Sequence, residues 1–90
     1  MNPERVDLIR GRLEQRLAPL ELEVQDDSAA HQGHAGARDG RGHYSVRIVS
    51  PAFTGQARLE RHRMVYAALG ELMQQDIHAL SIAALAPDEL

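Results

Sequence analysis

His43-Tyr44-Ser45-Val46-Arg47-Ile48-Val49-Ser50 alternates side chains along its length. In an extended strand, Tyr44, Val46 and Ile48 share one face, and His43, Ser45 and Arg47 share the other. The stretch reads as a half-buried strand ended by Pro51, with Phe53-Thr54-Gly55 as the turn that follows. Upstream, Leu20-Glu21-Leu22-Glu23-Val24-Gln25-Asp26 alternates in the same way and predicts a strand before it. Residues 2–17 predict a helix: Asn2 suits the cap, Pro3 the first helical position, and Glu4 and Asp7 the positive end of the dipole. Val6, Ile9, Leu13 and Leu17 form its apolar stripe, and Pro19 stops it. Downstream, residues 57–73 predict one continuous helix, with Leu59, Val65, Tyr66, Leu69, Leu72 and Met73 within a single arc. Residues 78–85 predict a third strand, with His78, Leu80 and Ile82 on one face, and Pro87–Leu90 a last helical turn. The order is that of an α+β layer fold, helices on a three-stranded sheet.

Composition bounds the function. Ninety residues hold one small domain, so 1–90 is read as a single unit. There is no cysteine, which excludes disulfides, thiolate zinc sites, thiol nucleophiles and any iron–sulfur cluster held by this chain's own thiolates. All ten basic residues are arginine, and the net charge is −3. A net acidic chain is a poor non-specific nucleic-acid binder, because that affinity comes from neutralising phosphates. No apolar run approaches membrane-spanning length, and the charged start (MNPERVDLIRGR) does not read as a secretory signal, so a cytoplasmic location is expected. Walker loops, nucleophile elbows and HExxH are absent, and Ser45, Ser50 and Ser81 have no evident base, so no enzyme is expected.

Two histidine settings carry information. The connection between the first two strands, residues 28–42, reads SAAHQGHAGARDGRG, with four glycines in fifteen residues. Loops this long inside a compact domain are uncommon and are usually functional or disordered. It carries His31 and His34, and imidazole is a good ligand for iron, zinc, copper and nickel. A flexible surface loop that happens to contain histidine is the plainer reading. Gly33-His34-Ala35-Gly36 matches the GxxG of nucleic-acid-binding KH domains in letters, but there the motif joins two helices and here it lies between two strands. The second setting is His62, in Arg61-His62-Arg63, which projects near the middle of the apolar arc close to the helix start. It is either a hydrogen-bonded core histidine or an imidazole presented to a partner or an anionic ligand. His78 reads as structural, packed under a helix end, and Arg47 as solvated.

The ordered set His43-Tyr44, Ile48-Val49-Ser50, Phe53-x-Gly55, Arg61-His62-Arg63-Met64-Val65-Tyr66, Leu69, Ile77-His78-Ala79-Leu80-Ser81-Ile82 and Pro87 resembles the BolA family, as does the loop Ser28-x-x-His31-x-Gly33-His34-Ala35-Gly36. The resemblance covers nearly the whole chain. It implies an αββαβ(α) fold related to class II KH domains, with helices on a three-stranded mixed sheet, and a non-enzymatic function in one of two classes. In the first, the protein pairs with a monothiol (CGFS-type) glutaredoxin and shares a 2Fe–2S cluster. The glutaredoxin and glutathione supply thiolates, and this chain supplies histidine: His62 by the RHR motif and His31 in the loop, with His34 as the alternative. Alone, the chain is then expected to be a monomer without bound cluster. In the second, it is a DNA-binding transcriptional regulator of morphology and stress genes, drawing on Arg58, Arg61 and Arg63.

Overall fold

The computed structural model describes residues 3–28 and 42–90. The N-terminal helix α1 spans Pro3–Leu17, strand β1 Glu21–Asp26, strand β2 Gly42–Val49, helix α2 Arg58–Leu69, helix α3 Leu72–Gln75 and strand β3 Ile77–Leu85. Short 3-10 turns at Pro51–Phe53 and Pro87–Glu89 follow β2 and β3. The sheet order is β1-β2-β3; β1 runs antiparallel to β2 and β2 parallel to β3, giving the mixed three-stranded sheet. The predicted cap at Asn2 lies outside the described residues, as do His31, His34 and the glycines Gly33 and Gly36.

The core follows the alternation read from the sequence. Tyr44, Val46 and Ile48 of β2 are buried against Ile9 and Leu13 of α1 and Val65, Leu69 and Leu72 of the later helices. Phe53, wholly buried, fills the corner after β2. Ser50 fixes that corner. Its Oγ donates to the Leu17 carbonyl at 2.6 Å and accepts from the Ala52 N–H at 3.1 Å, joining the end of α1 to the turn that aims α2.

Three expectations are corrected. The helix predicted over 57–73 is broken. Gly70 sits at φ 57°, a conformation that glycine adopts without penalty, and its N–H closes on the Tyr66 carbonyl, so Leu72 and Met73 belong to a separate short helix. Leu59 and Tyr66, placed in the buried arc, are 63% and 42% exposed. They share the side of α2 turned away from the core. Third, His78 does not pack under a helix. Gly42 pairs with Ile77 but His43 pairs with Ala79, so His78 is an extra residue in β3. The bulge shifts the alternation by one position: Ile77 is buried and His78 is exposed.

The arginines of α1 tie the layers together. Arg5 Nε meets Asp76 Oδ1 at 3.1 Å, and Arg10 Nη1 donates to the Leu22 carbonyl at 3.3 Å. Arg12 and Arg16 donate to the Leu69 and Ala67 carbonyls, each at 3.3 Å, where the α2 dipole is negative. Arg47, read as solvated, instead reaches Glu21 on the neighbouring strand at 3.0 Å.

Candidate functional site

Two histidine-bearing places stand at opposite ends of β3. The first is a groove of about 500 Å³ between the start of α2 and the end of β3. Arg58, Arg61 and His62 line it from the helix, and Ile82–Leu85 from the strand. His62 is half-buried here, neither a core residue nor a freely solvated one. Among the described residues no side chain or carbonyl hydrogen-bonds its ring, so no acceptor fixes its tautomer.

Arg61 is built into this wall. Its Nε donates to the Gln56 carbonyl at 2.8 Å and its Nη1 to the Ala84 carbonyl at 3.1 Å. The guanidinium also grips Glu89 with both nitrogens, at 2.6 and 2.9 Å. Glu89 Oε1 takes the Ala86 N–H as well, at 2.7 Å. The paired guanidinium, with that N–H, holds the Glu89 carboxyl down at about 2, and the carboxylate in turn raises Arg61 above its ordinary value. Arg61 therefore knits α2, β3 and the last turn together and is not offered to a phosphate. Arg63 leans on Glu60 at 3.7 Å, whereas Arg58 alone among the described arginines has no hydrogen bond or ion pair. Nothing in the local sequence marks Glu89 as the partner of Arg61, 28 residues away.

The second place is the sheet end where β1 leaves and β2 enters. Asp27 N–H donates to the His43 carbonyl at 2.7 Å, and His43 N–H donates to Ser28 Oγ at 3.1 Å, so the two ends of segment 29–41 are clasped. Beside this clasp the bulged His78 sets its ring 5.1 Å from that of His43, tilted 45°. The sequence reading missed this pair, because only the bulge brings His78 to that face. Ser45 on the same face hydrogen-bonds Asp27, and no histidine serves it as a base. Burial raises the Tyr44 hydroxyl above its ordinary value, against an opposing hydrogen bond from Arg5.

Reach separates the two places. The groove residues Ile82–Leu85 pair with Val46–Val49, three to six residues along β2 from His43. At about 3.3 Å per residue that is ~10–20 Å. Ser28 and His31 are three residues apart, a covalent span of at most ~11 Å. Ser28 itself is held at the end that carries His43 and His78. Neither place is a complete metal site: the described residues hold no group of three or more histidine, aspartate or glutamate side chains able to bind an ion. The donors present fit the role of co-ligand, one or two imidazoles beside a partner's thiolates, and no more.

A helix-strand-strand-helix-strand chain with a mixed sheet, an internal helix break and histidines at both ends of its last strand defines a small α+β domain. The family model described as BolA-like protein matches residues 13–89, and the chain belongs to that family. It is 46% identical over 87 residues to SufE-like protein 1, chloroplastic/mitochondrial, of Arabidopsis thaliana, covering 91% of this chain and 24% of that protein. It is 40% identical over 79 residues to the DNA-binding transcriptional regulator BolA of Escherichia coli, covering 83% of this chain and 72% of that protein. The solved BolA domain of SufE1 from Arabidopsis thaliana superposes with a TM-score of 0.87 at 42% identity, covering 100% of both chains. The chain spans about half the length of several other curated relatives.

Proposed function

We propose that this chain is a non-enzymatic co-ligand protein that pairs with a monothiol glutaredoxin around a shared 2Fe–2S cluster, in iron–sulfur trafficking or iron regulation. The observation that carries the reading is the exposed, bulge-presented His78, its ring set beside that of His43 at the sheet end that segment 29–41 leaves and re-enters. That end of the sheet offers imidazoles and no thiolate, so the missing cluster ligands must come from a partner. A cluster supplies electron transfer or an iron–sulfur cargo when bound, and two imidazoles on one iron raise its potential relative to all-thiolate ligation. This chain's contribution is to hold His78 outward on a paired strand and to bring a loop imidazole, His31 or its neighbour His34, within reach of it. His62 remains the candidate at the far end of β3. His78 is preferred to His62 because it stands at the end of the sheet where Ser28, three residues before His31, is held.

The DNA-binding reading draws on the name of the Escherichia coli relative and on the unpaired Arg58. Against it stand the net charge of −3 and the commitment of Arg61 to Glu89. A cytoplasmic location is part of the proposal: no helix among the described residues is long and apolar enough to cross a membrane, although plant relatives are named as chloroplastic or mitochondrial.

The test is anaerobic reconstitution with a monothiol glutaredoxin, glutathione, iron and sulfide, read by visible absorption and circular dichroism. A spectrum distinct from that of the glutaredoxin alone supports the reading. An unchanged spectrum, together with steeply salt-dependent binding to duplex DNA, supports the regulator instead.

A further inference from the structure

The free edge of β3 is unusual in what it leaves open. β3 is an edge strand, and Ile77–Leu85 contains no Asp, Glu, Lys, Arg or Pro, the residues that ordinarily guard an edge. The direction of its backbone groups follows from two hydrogen bonds. Leu85 turns its carbonyl toward β2, where the Ser50 N–H takes it at 3.0 Å. Ala84 turns its carbonyl the other way, where Arg61 takes it at 3.1 Å. Backbone groups alternate sides along a strand, so the N–H and C=O of Leu80 and Ile82 face outward with those of Ala84. Among the described residues nothing hydrogen-bonds these four groups. Arg61 blocks pairing at the Ala84 carbonyl, and a partner strand must stop there.

Just past that stop lies the groove beside the start of α2, and the unpaired Arg58 stands on its wall. We propose that the β3 edge at Leu80–Ile82 is a strand-addition site for a short extended segment of a partner polypeptide, with a carboxylate at the end of the segment seated by Arg58. Extended peptide backbone is the chemistry that matches alternating free N–H and C=O groups on an edge. An acidic end matches Arg58, the unpaired arginine among the described residues. The inference does not depend on cluster sharing: it uses neither the loop nor His78.

The test uses the full ninety-residue chain, 15N-labelled, titrated with acetyl-Thr-Val-Thr-Val-Asp-amide and followed by NMR. The amides of Leu80 and Ile82 are expected to shift and to gain protection from hydrogen exchange. The same peptide N-methylated at both valines is expected not to bind. Replacing the terminal Asp by Lys is expected to weaken binding about fivefold, the upper worth of one exposed ion pair. The Arg58→Glu variant is expected to reverse that preference. Unshifted Leu80 and Ile82 amides, or equal binding of the N-methylated peptide, would overturn the proposal. So would perturbation of this edge by oligothymidine but not by the peptide, which would mark a nucleic-acid groove.

Discussion

Ser50→Ala is expected to cost far more than the loss of one oxygen suggests. Ser50 is 0% exposed, and its hydroxyl serves two backbone groups at once: it donates to the Leu17 carbonyl at 2.6 Å and accepts from the Ala52 N–H at 3.1 Å. Alanine strands the Leu17 carbonyl in a buried corner and removes the local bond to the Ala52 N–H, which lies nearer solvent. The stranded buried carbonyl costs about 1–3 kcal/mol and the lost local hydrogen bond about 0.5–1.5 kcal/mol, so the substitution should remove roughly 2–4 kcal/mol in total. That is a large share of the ~5–15 kcal/mol a small domain possesses. It corresponds to a fall in Tm of roughly 10–25 °C for a chain of this size. Urea denaturation of wild type and variant measures it directly, with an unchanged m-value as the sign that only stability has moved. Thr54→Ala, on an exposed neighbouring residue, serves as the control and should stay within about 0.5 kcal/mol of wild type. A Ser50→Ala loss no larger than that of the control would refute the claim that this hydroxyl fastens α1 to the turn before α2.

Glu89 should titrate at about 2 in the native protein and return toward the ordinary 4.5 in Arg61→Ala, as read from side-chain carboxyl NMR shifts. A carboxyl lowered by folding stabilises the native state above its unfolded value, so this contribution should drain as pH falls from about 4.5 through about 2. Gly42→Ala places a Cβ 2.6 Å from the ring of the buried Tyr44, and should destabilise the domain by ~1–3 kcal/mol in thermal unfolding. His31→Ala should change the spectrum or lability of the reconstituted complex more than His34→Ala does, and the reverse order would move the loop ligand to His34.

The alternating stretches at Leu20–Asp26 and His43–Ser50 made the first two strands readable, because burial on one face imposes a period of two. The helices were readable from apolar spacing, except where spacing alone could not separate core from surface. Leu59 and Tyr66 project about 100–120° around α2 from Val65, so the predicted arc is too wide, and the core takes from this helix only Val65, Ala68 and Leu69. For the helix break that separates Leu72 and Met73 from α2, Gly70 was the available signal. The His78 bulge had no local signal: it is a property of the pairing between β2 and β3. The arginine contacts were hidden for a related reason. Arg5–Asp76 and Arg12–Leu69 join residues 71 and 57 positions apart, and only the packed fold brings them together. Family resemblance supplied the RHR histidine as ligand. A different imidazole, His78, is proposed here from the bulge that turns it outward beside His43.

The measurement that bears most directly on the account is a side-by-side reconstitution of wild type, His78→Ala and His62→Ala with a monothiol glutaredoxin and glutathione. The account predicts that wild type and His62→Ala share one visible circular dichroism spectrum, distinct from that of the cluster-loaded glutaredoxin alone. His78→Ala should give the glutaredoxin-only spectrum while retaining the wild-type fold by far-ultraviolet circular dichroism. Loss of the mixed spectrum in His62→Ala with its persistence in His78→Ala would contradict the account and place the ligand in the α2 groove.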